Sequence, residues 1–514
     1  MKRRSFLKNT SLLSLPVMLS GVPVSSYSKS RFTQLFDSDD DRVLVLIQLN
    51  GGNDGLGTII PVDQYEYLTE LRSNIILPES SLVNITDEVA LHPSFGSMKN
   101  IFNERKMSII QGVAYPNQNR SHFRSTDIWH TASEADEFLD EGWLGRFLYQ
   151  DHPLYPDNYP NNDNPDPIAI TMGLQVSETC QGPVANYSIA LNGEDSLTAI
   201  NETEGNEEDM TCYGREVSFI RETIKQLNAY SEVVSDAFEA GSNSVEYQGG
   251  NGLATQLSLV AKLISGGLNT KVYVVSIGGF DTHANQVDVT DPRDGVHANL
   301  LENLSGAITS FQQDLDNQGL SEKVVGMTYS EFGRRIRSNG SLGTDHGTAA
   351  PLILFGNCVN GGIIGSNPNL EGDIDQSEGV PMQYDFRSVY ASILMDWFGA
   401  DEEELRSLLY PNFQYIPLIN GCESTSVIDE TISESDILLY PNPCHDFLQV
   451  RIDSFFTSGT IEIYNIYGYL VYRKIVDNHD NLDVKIPTHS FLPGNYSIRF
   501  IKGTKSLVKR FIKV

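Results

Sequence analysis

Cysteine is scarce in this chain of 514 residues, and its spacing excludes two classes of protein. The five cysteines are Cys180, Cys212, Cys358, Cys422 and Cys444, and none belongs to a Cys-x-x-Cys pair. A zinc ribbon and a dense disulfide framework are therefore excluded. One bridge, for instance Cys180 with Cys212, is compatible with an oxidising exterior, and the odd number leaves at least one thiol free or intermolecular.

Basic residues are also few. The chain has 36 Lys and Arg against 67 Asp and Glu, a formal net charge of −31, which argues against nucleic acid and anionic membranes as partners. This negative charge fits a soluble exported protein. Carboxylates that bind divalent ions are a second explanation for it. Residues 437–514 instead contain ten Lys or Arg against six Asp or Glu, and this change of sign marks a domain boundary.

A long apolar run is missing near the start of the chain. The stretch from Ser11 to Val24 is too short and too interrupted to remain as a transmembrane segment in the mature protein. It follows Arg3-Arg4-Ser5-Phe6-Leu7-Lys8, a twin-arginine signature. We therefore expect a signal peptide at residues 1–26 and export by the twin-arginine translocase, whose substrates typically fold before they cross.

Apolar runs alternate with helical patterns through the middle of the chain. Buried strands are predicted at Val43–Leu49, Met107–Val113, Lys271–Ile277, Val324–Tyr329 and Pro351–Phe355. Amphipathic helices are predicted at Gly252–Ile264, Asn299–Leu315 and Phe386–Phe398. This alternation predicts an α/β core domain over residues 42–420, with a doubly wound, mainly parallel sheet and helices on both faces.

The end of the chain has a different pattern. Residues 421–436 are polar and acidic and are predicted to be a linker. Beyond them, short alternating β segments recur about every ten residues, which is typical of a small β-sandwich at residues 437–514. The predicted segments are Phe447–Ile452, Gly459–Tyr464, Leu470–Val476, Leu482–Ile486, Gly494–Ile501 and Ser506–Val514.

Acidic residues and histidines form four clusters, each beside an apolar run. They are Asp54, Asp281 with His283, Glu331, and the adjacent pair Asp345-His346. Three clusters directly follow a run and the fourth precedes one, so the side chains can converge at one edge of a parallel sheet. Asp and His together suit borderline divalent ions, so we expect zinc, with magnesium or manganese less favoured because imidazole is present.

Three of the clusters also have an ordinary structural interpretation. Asp54 stands in an Asn-Asp-Gly turn, where Asp and Gly are common without any catalytic role. Asp345-His346 is compatible with a turn aspartate beside a surface histidine. Glu331 is compatible with a glutamate that a helix dipole favours. His92 and His122 are weaker candidates, each more compatible with a structural role.

Ser121 is the candidate nucleophile. It stands in Asn-Arg-Ser-His-Phe-Arg, after an apolar strand and before a helical pattern that runs to about Ala135. A hydroxyl there is commonly an N-cap, but free backbone N–H groups at the same place also bind anionic oxygens. Arg120 and Arg124 add charge for a phosphate or sulfate group. A metal-bound serine would be an activated nucleophile.

These residues carry a resemblance to a known family. The core from about residue 42 to 419 resembles the exported bacterial proteins grouped as domain of unknown function 1501, which in turn are similar to the alkaline phosphatase superfamily of metal-dependent phosphate and sulfate ester hydrolases. The matching strings are Leu-Asn-Gly-Gly-Asn-Asp-Gly-Leu, Leu-His-Pro-Ser-Phe, Asn-Arg-Ser-His-Phe, Gly-Gly-Phe-Asp-Thr-His, Ser-Glu-Phe-Gly-Arg and Thr-Asp-His-Gly.

The resemblance implies roles for the candidates. Asp54 would hold one metal with Asp345 and His346, and Ser121 would be the nucleophile. Asp281 and His283 would serve a second metal, but they are two residues apart where the superfamily usually has four.

The superfamily also supplies a later histidine for the second metal. In this chain the next histidine after His346 is His445, which lies in the predicted sandwich. The second site is therefore incomplete unless His297, His122 or Glu331 substitutes.

The C-terminal segment resembles the type A sorting domain of type IX secretion. The resemblance is carried by Tyr-Pro-Asn-Pro at 440–443, Ile-Tyr-Asn-Ile-Tyr-Gly at 463–468, Leu-Pro-Gly-Asn-Tyr at 492–496 and Lys-Arg-Phe-Ile-Lys-Val at the end. It implies handling by the type IX secretion machinery and a secreted or cell-surface location reached through the periplasm. The alternative is an accessory adhesive β-sandwich.

The function predicted from these patterns is that of an exported, metal-dependent hydrolase of anionic phosphate or sulfate esters with a serine nucleophile. The alternative is a non-catalytic cell-surface binding protein that keeps the fold and at most one structural metal.

Overall fold

The computed structural model describes residues 18–19, 22–23, 41–157, 159–193, 228, 230–419, 422, 437–452, 459–465, 470–476, 483–489, 491–502 and 505–514. The twin-arginine signature and most of the predicted linker lie outside these residues. Within the predicted signal, Met18–Leu19 pairs antiparallel with Val22–Pro23. Among the described residues, no helix is both long and apolar enough to cross a membrane.

The core is built on a nine-stranded sheet, with a three-stranded sheet beside it. The core strands are β1 (Val43–Asn50), β2 (Ile59–Pro61), β3 (Val83–Asn84), β4 (Val89–Leu91), β5 (Met107–Ala114), β6 (Ala169–Met172), β7 (Ser188–Leu191), β8 (Val272–Gly278), β9 (Val324–Tyr329), β10 (Ala350–Phe355), β11 (Gly362–Ile364) and β12 (Tyr384–Asp385). The large sheet has the order β11-β5-β10-β9-β1-β8-β6-β7, with β12 also paired to β5, and the small sheet has the order β2-β4-β3.

The helices of the core are mostly short. They are α1 (Gly55–Thr58), α2 (Tyr65–Leu71), α3 (Met98–Asn103), α4 (His122–Thr131), α5 (Trp143–Asp151), α6 (Gly252–Ser265), α7 (Val296–Gln318), α8 (Phe386–Phe398) and α9 (Glu402–Leu408), and residues 230–240 are also helical.

Helices cover both faces of the large sheet, because its strands are apolar on both sides. On β1, Val43, Val45 and Ile47 join one hydrophobic cluster, while Leu44 and Leu46 join the other. The first cluster includes residues of α3, α6 and α7, and the second includes residues of α4, α5 and α8. The predicted doubly wound α/β class is therefore confirmed.

One strand of the large sheet runs against the others. β10 is antiparallel to both of its neighbours, β9 and β5, whereas every other pairing in this sheet is parallel. The chain therefore enters β10 at the same edge where β1, β5, β8 and β9 end. This arrangement explains why one of the four polar clusters precedes its strand while three follow theirs.

The C-terminal part is all-β, as predicted. Its strands are β13 (Ile437–Tyr440), β14 (Phe447–Ile452), β15 (Gly459–Asn465), β16 (Leu470–Val476), β17 (Asp483–Pro487), β18 (Gly494–Lys502) and β19 (Lys505–Lys513). They form a three-stranded sheet, β13-β14-β17, and a four-stranded sheet, β16-β15-β18-β19. Both sheets contribute to one hydrophobic cluster that includes Val450, Ile486, Ile463 and Ile498.

The disulfide in the structure is not the pair of Cys180 and Cys212 that the sequence analysis gives as an example. Cys358, after β10, is bonded to Cys422. Cys180 and Cys444 are buried free thiols, so the suggested bridge from Cys180 is wrong. Cys212 lies outside the described residues. Spacing could not identify the pair, because a bridge requires the two residues to be close in space rather than in sequence.

Candidate metal centre

Polar side chains from four segments meet at the edge of the sheet where β1, β5, β8 and β9 end. Asp281 and His283 follow β8, and Glu331 follows β9. His122 begins α4, after β5, and His346 lies in the loop that enters β10. The carboxyl ends of parallel strands and the start of an antiparallel one share an edge, so these residues converge although they span 225 positions.

Two glycines allow the loop after β1 to approach its neighbours closely. Gly51 has φ +118°, and a Cβ there would lie 2.3 Å from the backbone nitrogen of Asp281. Gly52 has φ +83°, and a Cβ there would lie 2.5 Å from the ring of Phe332. Any side chain at either position would push the loops apart and displace Asp281.

Arg334 connects these loops through hydrogen bonds. Its buried guanidinium donates to the backbone oxygens of Gly51, Gly52, Phe280 and Thr344, and also to Asp281 Oδ1 at 2.7 Å. One side chain thus links the segments after β1 and β8 with the segment before β10. A buried arginine with this many acceptors is well compensated for its loss of hydration.

Three histidines are held by their Nδ1 atoms. His122 Nδ1 lies 2.7 Å from Glu331 Oε1, His283 Nδ1 lies 2.9 Å from Asp345 Oδ1, and His346 Nδ1 lies 2.8 Å from the carbonyl oxygen of Arg120. Carboxylates and carbonyls accept hydrogen bonds, so each Nδ1 carries the proton. Each Nε2 then keeps its lone pair, which is the arrangement of metal-binding histidines with oriented outer partners.

The Nε2 atoms converge on Asp281. Those of His283 and His346 lie 2.8 Å apart, and each is 3.1 Å from Asp281 Oδ1. His122 Nε2 lies 3.4 Å from the same oxygen, and it is buried without a hydrogen-bond partner. Two lone pairs cannot face each other across 2.8 Å without a proton or cation between them.

The distances between the Nε2 atoms and Asp281 Oδ1 suit a small divalent ion. Tetrahedral zinc with bonds near 2.0–2.1 Å requires donor atoms about 3.3 Å apart, close to the separations around Asp281. Within the described residues, His122, Asp281 and His346 are the one group of three or more His, Cys, Asp or Glu whose donor atoms all lie within 4.8 Å of one another. The residues present therefore fit a bound metal.

The pKa shifts of Asp281 and His346 both favour the protonation states that bind metal. Burial opposes ionisation of Asp281, but the hydrogen bond and charge of Arg334, with His346 and His283, hold its pKa at about 2. Burial lowers the pKa of His346, although the Arg120 carbonyl and Asp281 act in the opposite direction. Metal binding requires an ionised carboxylate, which Asp281 supplies, and imidazoles in their neutral form.

Ser121 directly precedes His122 of the cluster in the chain. It is the exposed N-cap residue of α4, and its side chain makes no capping hydrogen bond. It stands between Arg120, whose carbonyl oxygen contacts His346, and His122. The hydroxyl is thus free of a structural capping role.

The two arginines predicted to bind an anion differ in their contacts. Arg120 donates to the Ser377 carbonyl at 2.7 Å, and both burial and the charge of Arg335 lower its pKa. Arg335 itself reaches Asp345 Oδ2 at 3.4 Å. Arg124 pairs instead with Asp127, donates to loop carbonyls and lies 4.0 Å over the ring of Phe138.

Asp54 belongs to a second, buried polar group. Its Oδ2 accepts from Arg72 Nη1 and Gln286 Nε2, each at 2.7 Å, while Oδ1 is buried without a partner. Burial opposes ionisation of Asp54, but the charge and hydrogen bond of Arg72 lower its pKa overall. A cavity of about 30 Å³ adjoins Asp54, His92 and His297. A guanidinium already neutralises Asp54, so this group does not fit a second metal ion.

The sequence gives weak or no signal for two residues of the centre, His122 and Arg334, and for Arg72 of the buried group around Asp54. His122 was treated as more compatible with a structural role, although it follows directly on the candidate nucleophile. Arg334 closes the Ser-Glu-Phe-Gly-Arg string, but nothing in that string indicates that it would bind four carbonyls. Arg72 has no local signal at all, because its partner Asp54 lies 18 positions away in a different segment.

Solved structures resemble the chain only remotely. A structure from work on glycosaminoglycan metabolism by Bacteroides thetaiotaomicron is 8% identical, covers 86% of this chain and 92% of that one, and has a TM-score of 0.36. A protein in the alkaline phosphatase superfamily from Vibrio parahaemolyticus is 7% identical, with coverages of 91% and 78% and a TM-score of 0.30.

The C-terminal sandwich has its own remote likeness. An immunoglobulin-like β-sandwich protein from Bacteroides vulgatus is 18% identical, covers 15% of this chain and 85% of that one, and has a TM-score of 0.14. No curated protein matches the chain significantly. Likenesses this remote say nothing about a reaction.

Two family models match the chain. The secretion system C-terminal sorting domain matches residues 438–514, which confirms that prediction and indicates a secreted or cell-surface protein handled by type IX secretion. The model of a protein family of unknown function, DUF1501, matches residues 78–397, more than half of the chain, and the protein therefore belongs to that family.

Proposed function

We propose that this protein is an exported, metal-dependent hydrolase of phosphate or sulfate esters with one divalent ion and a serine nucleophile. The observation that carries the proposal is the convergence of three Nδ1-anchored histidines on Asp281. Zinc is the expected ion, because imidazole nitrogens dominate the donors. Twin-arginine export, followed by the type IX machinery, is the proposed route to the surface.

The metal is held by His122, Asp281 and His346, with His283 adjoining them. Glu331 and Asp345, predicted as ligands, act in this proposal as the acceptors that orient His122 and His283. When bound, a divalent ion supplies a Lewis acid that lowers the pKa of a neighbouring hydroxyl.

Ser121 attacks the phosphorus or sulfur atom of the ester. Its Oγ releases its proton to water and forms the new bond while the bond to the alcohol oxygen breaks, and the departing alkoxide takes a proton from water. Hydrolysis of the serine ester then releases phosphate or sulfate and restores the hydroxyl. The support for this role is that Ser121 is exposed, uncapped and adjacent to His122.

The oxyanion is bound by positive charge beside Ser121. The backbone N–H groups in the first turn of α4 and the guanidinium of Arg120 lie next to the hydroxyl in the chain. Arg335 is close enough to lower the pKa of Arg120. Two guanidinium groups near one another are favoured when an anion lies between them. Arg124, already paired with Asp127, is less available for this role.

One observation favours the alternative of a non-catalytic surface protein. His283 Nε2 lies 3.1 Å from Asp281 Oδ1, close enough to be a fourth ligand. Four protein ligands are typical of structural zinc sites, whereas catalytic sites keep a position open. The two functions therefore differ in whether the ion can accept an exogenous ligand.

Metal content and hydrolysis together test the proposal. Mass spectrometry of the purified chain should find one divalent ion, retained in the exposed-histidine control His489→Ala and lost in His122→Ala. Ser121→Ala should keep the ion and lose at least about a hundredfold of the activity on a panel of aryl phosphates and sulfates. The same-helix control Thr126→Ala should keep both.

Two results would contradict the proposal. A folded wild-type chain that binds no divalent ion would remove the metal centre. A chain that binds one ion but hydrolyses no ester of the panel would favour the surface-binding alternative. Circular dichroism of each variant separates loss of the ion from loss of the fold.

A further inference from the structure

A polar contact joins the core to the sorting domain, far along the chain from the metal centre. Asp396, on α8, has a side chain that is only 5% exposed. Its two carboxylate oxygens accept from the hydroxyl of Tyr415, at 2.9 and 3.0 Å. The nearest cation comes from the other domain, since Arg499 of β18 lies 3.8 Å from Asp396 Oδ1.

Aromatic side chains surround this contact. The guanidinium of Arg499 lies 4.9 Å from the ring centre of Tyr415, which adds a cation–π interaction. The ring of Tyr464, on β15, lies 6.2 Å from that of Tyr415, and its hydroxyl donates to Glu462 at 2.6 Å. Charged and aromatic groups are thus matched across the two domains.

The interface is specific but incompletely packed. A cavity of about 630 Å³ lies between the domains, bordered by Tyr384 and Ile416 of the core and by Asn495 and Arg510 of the sorting domain. Arg499 Nε is buried without a hydrogen-bond partner. A partly polar contact beside a cavity is typical of an interface between two separately folded domains rather than of one continuous core.

The covalent connection between the domains is limited to a short segment. The disulfide from Cys422 to Cys358 attaches the end of the core to the loop after β10. Residues 423–436 then lead to β13, the first strand of the sorting domain. A cut within 423–436 therefore leaves the core closed by its disulfide and the sorting domain with all of its strands.

We propose that the core surface around Asp396 and Tyr415 is a docking site for the protein's own sorting domain, which stays bound when residues 423–436 are cut. Arg499 is the anchor, because among the described residues it is the side chain of the sorting domain that brings a cation within 4 Å of the buried Asp396 side chain. The proposal does not depend on the reaction at the metal centre.

The test uses the full chain with a specific protease site inserted in residues 423–436. After cleavage without reducing agent, the two fragments should elute together in gel filtration at micromolar concentration. Arg499→Ala should weaken retention at least about tenfold, measured by titration of the separated fragments. The charge-matched control Arg451→Ala, on β14, should leave it unchanged.

A second variant keeps the test informative if Arg499→Ala fails to fold. Asp396→Asn leaves the sorting domain intact and should weaken retention similarly, and the double variant should be no weaker than either single one. Separation of the wild-type fragments would overturn the proposal. Retention of both variants as tightly as the Arg451→Ala control would overturn it as well.

Discussion

Glu331 Oε1 lies 2.7 Å from His122 Nδ1 and accepts from the Gly51 backbone N–H at 2.9 Å. The same oxygen therefore fixes the ring orientation of His122 and attaches the loop after β1 to the end of β9. The Glu331 side chain is only 3% exposed and contacts the Nδ1 side of the His122 ring, whereas Asp281 lies near Nε2. Outer acceptors of this kind raise the basicity of the histidine and preorganise it for metal.

Removing this acceptor should weaken metal binding. Glu331→Ala should lower zinc affinity about 10- to 100-fold, because His122 loses the partner that sets its tautomer. Glu331→Gln should lose less, since an amide oxygen still accepts from Nδ1. Competition with a zinc chelator measures both.

The control for this change is Glu322→Gln, an exposed glutamate just before β9. Its zinc affinity should equal that of the wild type. Unchanged affinity in Glu331→Ala would mean that His122 does not bind the ion.

The Arg72–Asp54 pair should be a large contributor to stability. Both side chains are at least 97% buried and lie 2.7 Å apart, so Arg72→Met leaves an unpaired buried carboxylate. The expected loss is about 3–5 kcal/mol in the free energy of unfolding, measured by urea denaturation. The double variant Arg72→Met/Asp54→Asn should lose less than the sum of the single changes.

A surface arginine provides the control for this pair. Arg293→Ala removes the exposed partner of Asp291 and should change the urea midpoint little. A loss for Arg72→Met no greater than for Arg293→Ala would show that the buried pair contributes nothing.

Two buried histidines should each lower the stability of the protein in mild acid. Burial lowers the pKa of His92 to about 3 and that of His297 to about 4, with each histidine also affected by neighbouring charges. Unfolded histidine titrates near pH 6.5, so between about pH 6.5 and 4 the unfolded chain binds protons that the folded chain does not. The stability that these two histidines contribute is therefore complete above pH 6.5 and is lost as the pH drops towards 4, by about 1.4 kcal/mol per pH unit for each histidine. Asp151 and Asp396, whose pKa values burial raises to about 7, act in the opposite direction over this range.

The variant His297→Gln isolates this effect. It should reduce the slope of unfolding free energy against pH by about 1.4 kcal/mol per unit between pH 6 and 4.5. Urea titrations at several pH values measure it, with His489→Ala as the exposed control. An identical slope in His297→Gln and wild type would contradict the prediction.

The disulfide should stabilise the core without affecting the metal centre directly. It closes a separation of 64 residues, so chain entropy predicts a contribution of about 4 kcal/mol. Cys358→Ser should lower the melting temperature of the oxidised protein to that of the reduced wild type. Adding reductant to the variant should then have no further effect.

Alkylation and mass spectrometry give an independent check on the bridge. Under non-reducing, denaturing conditions Cys358 and Cys422 should remain unlabelled while Cys180 and Cys444 are labelled. Labelling of Cys358 would show that the pair is not formed.

Much of the fold could be predicted from local patterns. Val324–Tyr329 and Phe386–Phe398 have the predicted ends, because a doubly covered strand is a continuous apolar run and a helix has a 3.6-residue period. The short strands Ala169–Met172 and Gly362–Ile364 were not predicted. Their few residues do not form a period long enough to recognise.

The sequence by itself determined the chemical inventory of the centre: the histidines and aspartates beside apolar runs, and a serine at a helix start. Only the tertiary structure decided which of these side chains lie close together. Because β10 is antiparallel to its neighbours, the loop that enters it places His346 beside Asp281. Arg72, from another segment, neutralises Asp54. Local sequence encodes which donors exist, but a ligand set depends on distances and ring orientations that arise only when separate strands pair and their loops pack.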